Sequence, residues 1–129
     1  QDVGMGRDLF ESDTVARELG ELASEETGVD IPRLCRKGPL STLSDTRLLQ
    51  PAMTAVCLSL LHRMEEAGIF CEVAAGHSLG EISSLGAAKM ASARSLVSLA
   101  AKRGRLMALA ASQKEGSMLA VLDDTCALP

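Results

Sequence analysis

The pentapeptide Gly-His-Ser-Leu-Gly at 76–80 constrains the fold of this chain more than any other feature. It follows an apolar run over 69–75 and precedes a segment rich in Ala, Leu and Ser. A strand, a Gly-x-Ser-x-Gly turn and a helix in this order are typical of a nucleophile elbow, where a serine stands at the tip of a sharp turn. Side chains at positions 76 and 80 are expected to collide across such a turn, which predicts that both must be glycine.

The same turn predicts a nucleophile and a site for negative charge. Ser78 is the candidate nucleophile, because an elbow exposes its hydroxyl. The backbone N–H of Leu79 is expected to point at a developing oxyanion, at the positive end of the helix that follows. The alternative is that Ser78 only caps that helix.

The spacing of apolar residues predicts four helices, two of them before the elbow. The first lies between Arg7 and Gly28, with Ser12 or Asp13 as its cap, and residues 29–45 are expected to form a connector. The second has a proline, Pro51, in its first turn and ends at Gly68. Its inward stripe is expected to consist of Met53, Val56, Cys57, Leu60, Leu61, Met64 and Ala67.

Two helices and one further strand are predicted after the elbow. One helix covers residues 79–90, and another, capped by Ser92, continues to about residue 111. Its expected inward residues are Leu96, Val97, Leu99, Ala100, Met107 and Ala111. Residues 69–75 predict a short buried strand and residues 117–122 a second one. Alternating strands and helices predict an α/β fold with a parallel sheet, and two strands are so few that the chain is expected to be an excerpt of a larger domain.

Composition excludes several classes of protein. The net charge is -4 with both signs interspersed, which does not fit a nucleic-acid-binding surface, and base stacking is not expected with two Phe and neither Tyr nor Trp. The four cysteines have no C-x-x-C spacing, which favours a reduced chain in the cytoplasm over a disulfide framework. No apolar run suits a membrane span and no signal peptide is visible, so no membrane partner is expected. Two isolated histidines and scattered cysteines predict no metal site.

Five stretches in chain order point to one family. They are Gln-Asp-Val-Gly-Met-Gly at 1–6, Gln-Pro-Ala at 50–52, Gly-His-Ser-Leu-Gly-Glu at 76–81, Arg-Gly-Arg-Leu-Met at 103–107 and Gly-Ser-Met at 116–118. With them the chain resembles, over essentially its whole length, the malonyl-CoA:acyl carrier protein transacylases and the acyltransferase domains of polyketide and fatty acid synthases. The resemblance implies that residues 1–115 belong to a larger, hydrolase-like α/β subdomain. Residues 116–129 would begin a smaller, ferredoxin-like subdomain, which is truncated here.

The resemblance also implies an activity. Ser78 would take the malonyl group from malonyl-CoA as an ester and pass it to the phosphopantetheine thiol of an acyl carrier protein, in fatty acid or polyketide synthesis. No bound cofactor is expected. Arg103 would bind the free malonyl carboxylate through two parallel hydrogen bonds. The alternative for Arg103 is a solvated helix arginine, as is expected for Arg105, but Gly104 in mid-helix indicates a close approach at this point.

The remaining polar residues have weaker assignments. Gln50 matches a glutamine that lines the cleft in the family, or it only satisfies a backbone donor at a helix N-terminus. His77 is placed beside the nucleophile but is expected to make structural hydrogen bonds beneath the elbow, and His62 to lie at the surface. Neither is a convincing general base. The chain alone is therefore expected to be nearly inactive, with the family's catalytic histidine and one oxyanion-hole segment outside it.

Two other functions are compatible with the elbow. A serine hydrolase of the esterase or lysophospholipase kind shares the Gly-x-Ser-x-Gly turn. A non-catalytic docking domain would retain the turn without a base. The cation at Arg103 separates the first of these from an acyltransferase, because a buried cation suits a dicarboxylic acyl group and is idle in a site for neutral esters.

Overall fold

The structure is a computed structural model that describes residues 2–113 and 116, and all its regular elements there are helices. In chain order these helices are α1 (Arg7–Ser12), α2 (Thr14–Thr27), α3 (Ile31–Lys37), α4 (Leu40–Leu43), α5 (Thr46–Glu66), α6 (Gly80–Ala87) and α7 (Ala93–Gln113). The elbow connects α5 to α6 through the irregular segment that precedes it.

Helix α5 is the centre of the fold. It packs against α7 and α2 along its length and also touches α1, α3, α4 and α6. Ala52, Ala55 and Ser59 are fully buried, whereas Leu60 and Met64 of the predicted inward stripe are exposed. The predicted stripe is correct for Val56, which is buried, and wrong for Leu60 and Met64. Much of the packing of α5 is made by small side chains on more than one face, which permit close approach of its neighbours.

Aspartates cap three of the helices, in each case through a carboxylate that accepts a backbone N–H of the first turn. Asp13 caps α2, Asp30 caps α3 and Asp45 caps α5. The cap at Asp13 is as predicted, and it divides the expected first helix into α1 and α2. The predicted connector over 29–45 is wrong, since it contains α3 and α4. Pro32 lies in the first turn of α3, where proline starts a helix instead of ending one.

The bounds of the longer helices also differ in part from the predictions. Because Asp45 caps α5, that helix begins five residues before Pro51, which lies inside the helix and not in its first turn. The cap at Ser92 is confirmed, since its hydroxyl accepts the backbone N–H of Ser95 at 3.2 Å. In α7, Leu96, Val97 and Ala100 are buried as predicted. Leu99, Met107 and Ala111 are exposed, because α7 packs on one side only.

The predicted sheet is absent from the described residues, none of which lies in a β-strand. The segment 69–75, predicted as a buried strand, is irregular and exposed, with Phe70 at 74% and Val73 at 86%. A strand needs a neighbour for its backbone hydrogen bonds, and the described part of the chain supplies none beside this segment. The second predicted strand, 117–122, and the predicted small subdomain, apart from residue 116, lie outside the described residues.

The sequence composition led to expectations about disulfides and membrane spans, and the structure gives the state of three cysteines and the character of the helices. Cys35, Cys57 and Cys71 are free thiols, and burial raises the pKa of Cys35 to about 11. Across residues 2–113 and 116, no helix combines the length and the apolar character that crossing a membrane requires.

Candidate functional site

The turn at Ser78 has the geometry of a nucleophile elbow. Ser78 has a φ of 55°, in the left-handed region, which costs a non-glycine residue about 1–3 kcal/mol. A Cβ at Gly76 would lie 2.0 Å from the backbone carbonyl carbon and oxygen of Gly80. Glycine at 76 is therefore required, as predicted. The prediction for Gly80 is wrong, because a Cβ there would meet no atom of the described residues within 4 Å. The collision is between a side chain at 76 and the backbone at 80.

The start of α6 leaves backbone donors beside the serine. The carbonyls of His77 and Ser78 accept the N–H groups of Gly80 and Glu81, at 2.9 and 3.2 Å. The N–H of Leu79 donates no hydrogen bond to any of the described residues. A free N–H directly after Ser78, at the positive end of a helix, is available to an oxyanion.

Arg103 of α7 reaches Ser78 directly. Its Nη2 donates to Oγ of Ser78 at 3.1 Å, and its Nη1 donates to Oε1 of Gln50 at 2.7 Å. One guanidinium thus connects the elbow, α5 and α7. The structure brings together the three side chains that the sequence singled out separately, across 25 and 53 residues of chain.

Gly104 explains how α7 comes so close to α5. A Cβ at this position would lie 2.5 Å from the backbone carbonyl oxygen of Thr46 and 3.2 Å from Cα of Arg47. Backbone atoms cannot move aside as a flexible side chain can, so the crossing requires glycine. The predicted close approach is confirmed, and it fixes the position from which Arg103 extends.

Gln50 is a buried member of the cluster, only 4% exposed. Its Nε2 donates to Oγ1 of Thr46 at 2.7 Å and lies 3.2 Å from Sδ of Met107. Thr46 was not predicted as a site residue, and Met107 was expected only to pack inward. Each stands four residues from a predicted site residue on the same helix, so helical spacing was the signal that could have found them.

The histidines take no part in the cluster. His77 is exposed, and its ring makes no hydrogen bond within residues 2–113, so the expected structural hydrogen bonds beneath the elbow are not found there. His62 lies at the boundary of α5, with Nε2 3.6 Å from Oε1 of Glu66. Neither imidazole forms a hydrogen bond with Ser78 in the described structure, and that neither is its general base stays a prediction.

The charge at the site is an unbalanced cation. Arg103 is in no ion pair with a carboxylate of the described residues, whereas Arg105 pairs with Glu26 at 3.7 Å. Two arginines on one helix therefore differ in their ion pairing. Arg105 is a surface residue paired with a carboxylate, whereas the charge of Arg103 is not neutralised by any described carboxylate. A half-buried guanidinium beside a hydroxyl attracts anions and stabilises an alkoxide.

The candidate site does not coincide with the cavity between α2, α5 and α7. A cavity of about 300 Å³ lies between α2, α5 and α7, where Glu26, Arg47 and Arg105 contribute to its walls. Ser78, Gln50 and Arg103 do not line it.

Comparison with known proteins gives one consistent result. A malonyl CoA-acyl carrier protein transacylase of Bacillus subtilis is 36% identical over 122 residues, which are 95% of this chain and 38% of that protein. The crystal structure of a malonyl-CoA:ACP transacylase of Synechocystis matches with a TM-score of 0.78 and 33% identity, over 85% of this chain and 37% of the other. A type II PKS acyl carrier protein in complex with its malonyl-transacylase matches with a TM-score of 0.75 and 34% identity, over 85% and 36%.

The chain spans less than two fifths of the length of these proteins. Over that span its helices have the fold of the solved malonyltransferases. The acyl transferase domain family matches almost every residue, from 1 to 128, and the chain therefore belongs to that family.

Proposed function

We propose that the protein carrying this chain moves a malonyl group from malonyl-CoA to the phosphopantetheine thiol of an acyl carrier protein. The observation that carries the proposal is the Arg103 guanidinium, which donates to the Ser78 hydroxyl and has no carboxylate partner in the described residues. A malonyl thioester offers both a carbonyl for the serine and a free carboxylate for the arginine. The relatives named as transacylases support the same donor and acceptor.

The reaction has two balanced steps. Oγ of Ser78 attacks the thioester carbonyl, an O–C bond forms, the C–S bond breaks, and coenzyme A leaves as its thiol with the serine proton. The phosphopantetheine thiol then attacks the ester, an S–C bond forms, the C–O bond breaks, and the thiol proton returns to Ser78. The scheme uses no resident cofactor.

Arg103 acts in both steps. Its guanidinium has five N–H donors, and among the described residues it donates to Gln50 and Ser78. The remaining donors can take the malonyl carboxylate. Because Oγ of Ser78 accepts from Arg103, its own proton is directed elsewhere and is available to a base. The backbone N–H of Leu79 stabilises the oxyanion that forms on the thioester carbonyl.

The proposal also includes a general base for Ser78 and a parallel sheet, both of which involve parts of the protein outside the described residues. The serine proton needs an acceptor that neither His62 nor His77 provides, so we place the base outside the described residues. Residues 1–115 would form part of the larger α/β subdomain, with 69–75 as a strand of its parallel sheet. Residues 116–129 would begin the smaller ferredoxin-like subdomain, and the whole protein would work in the cytoplasm in fatty acid or polyketide synthesis.

Intact-mass measurement after incubation with malonyl-CoA tests the proposal. The whole protein should gain one malonyl group, which then disappears when a carrier protein with its phosphopantetheine arm is added. Ser78→Ala should gain none, while Ser83→Ala in α6 serves as the matched control and should be labelled normally. An adduct that persists in Ser78→Ala would refute the assignment. Release of free malonate without a carrier would instead favour a hydrolase.

A further inference from the structure

The buried amide of Gln50 has two ends of nearly equal shape, and only its partners decide which end faces Arg103. Its oxygen lies 2.7 Å from Nη1 of Arg103, and its nitrogen lies 2.7 Å from Oγ1 of Thr46 and 3.2 Å from Sδ of Met107. All three partners are side chains, and the amide is almost closed to water.

The partners are not chemically equivalent. A guanidinium can only donate a hydrogen bond and a thioether can only accept one, whereas a threonine hydroxyl does either. If the amide flipped, its N–H groups would face the donors of Arg103 and its oxygen would face the sulfur of Met107. Arg103 and Met107 thus select the same orientation from opposite ends, and Thr46 strengthens it without selecting it.

We infer that Met107, supported by Thr46, is a positioning residue that keeps the oxygen of Gln50 on Arg103 and thereby aims the guanidinium at Ser78. This inference rests on the proposed function only in so far as Arg103 binds the malonyl carboxylate. The competing explanation is that Met107, 39% exposed, is an ordinary apolar residue on the surface of α7.

Two measurements on the whole protein separate these explanations. Met107→Leu keeps the size of the side chain and removes the acceptor. One neutral hydrogen bond corresponds to about a twofold to tenfold effect. We expect kcat/KM for malonyl-CoA to fall by that factor, mainly through a higher KM. The ratio of this value to that for acetyl-CoA should fall as well, because acetyl offers Arg103 no carboxylate. In a Gln50→Met background, Met107→Leu should have no further effect, since no amide is left to orient.

The second measurement is independent of activity. NMR hydrogen exchange of the Gln50 side-chain amide, assigned by its loss in Gln50→Met, should be protected in the wild type and at least about twofold faster in Met107→Leu. Thr46→Val should accelerate it as well, and Thr46→Ser should restore the protection. Leu106→Met, the reverse exchange at the next position of α7, is the matched control and should change neither readout.

Each outcome decides the inference. Unchanged amide exchange in Met107→Leu, or an equal loss of kcat/KM with and without Gln50, would overturn it in favour of simple packing. If the wild type formed no malonyl ester, the proposed function would fail, and the exchange measurement would still support or overturn the positioning role by itself.

Discussion

The two sides of the elbow are held in different ways. On the C-terminal side, Ser78 is fixed by the backbone contact between Gly76 and Gly80, by α6 and by Arg103. On the N-terminal side, residues 69–75 carry exposed apolar side chains and no strand pairing. A sharp turn can be set by the few residues that form it, whereas a strand exists only with a neighbour. The geometry of the turn is thus encoded locally, whereas a strand over 69–75 would depend on residues elsewhere in the protein.

The largest expected effect comes from adding one methyl group at the tightest contact of the turn. Gly76→Ala places a Cβ 2.0 Å from backbone atoms of Gly80, so the elbow must open and displace Ser78. A displacement of about 1 Å costs roughly 100-fold in rate, and we expect malonyl transfer to fall by at least that factor. Gly80→Ala is the matched control, because its Cβ meets no described atom within 4 Å and should leave most of the activity. Similar losses in both variants would show that the contact is not what shapes the turn.

The second largest effect is expected on the N-terminal side of the elbow, in residues 69–75. Val73 is 86% exposed in the described structure, yet the proposed parallel sheet would bury it. Val73→Asp should therefore lower the free energy of unfolding of the whole protein by about 3 kcal/mol or more, as a buried unpaired charge does. In the 129-residue chain by itself, the same change should alter stability by less than about 0.5 kcal/mol and increase the soluble fraction.

Urea unfolding of the two lengths, each with and without Val73→Asp, gives this comparison directly. A small effect in both lengths would mean that the segment stays on the surface and that the strand prediction is wrong for the whole protein as well. The rest of the protein would then not supply the neighbouring strand that 69–75 needs.

Much of the site was predictable, and the reason is local chemistry. Ser78 is marked by its glycine neighbour at 76, and Arg103 by Gly104, a residue that helices otherwise avoid. Their meeting was not predictable, since it depends on how α7 crosses α5. Thr46 was not predicted because Pro51 was expected in the first turn of α5, which left Thr46 just outside the predicted helix. The stripe on α5 was misassigned because periodicity identifies one face and α5 buries several.

Arg103, which contacts Ser78 from α7, is expected to determine the preference for malonyl-CoA over acetyl-CoA. A charge-assisted hydrogen bond contributes about 1.5–3 kcal/mol, so Arg103→Ala should lower the ratio of kcat/KM for malonyl-CoA to that for acetyl-CoA at least about tenfold. Arg103→Lys should restore only part of it, because a point charge lacks the planar fork. Arg105→Ala, two positions along α7, removes a cation that pairs with Glu26 and is the matched control. An unchanged ratio in Arg103→Ala would favour the hydrolase interpretation.

The smallest expected effect concerns the start of α5. Thr46, the first residue of this helix, lies against Gly104 of α7 and accepts a hydrogen bond from Gln50. Asp45 caps this end by accepting the backbone N–H of Arg47 at 2.9 Å. Hydrogen bonds from the side chain and the backbone of Arg47 hold the pKa of Asp45 below its ordinary value. A carboxyl with a lowered pKa stabilises the fold above its unfolded pKa of about 4, and the contribution is lost as the pH falls through the lowered value.

Asp45→Asn keeps the capping oxygen and removes the titration, so its stability should vary less than that of the wild type between about pH 5 and pH 2. Asp45→Ala removes the cap and should cost about 1 kcal/mol at neutral pH. Urea unfolding at several pH values measures both changes. Because α5 holds Thr46 against α7, malonyl transfer at neutral pH should fall slightly in Asp45→Ala and not in Asp45→Asn. Parallel pH profiles for the wild type and Asp45→Asn would show that Asp45 is not the source of the acid sensitivity.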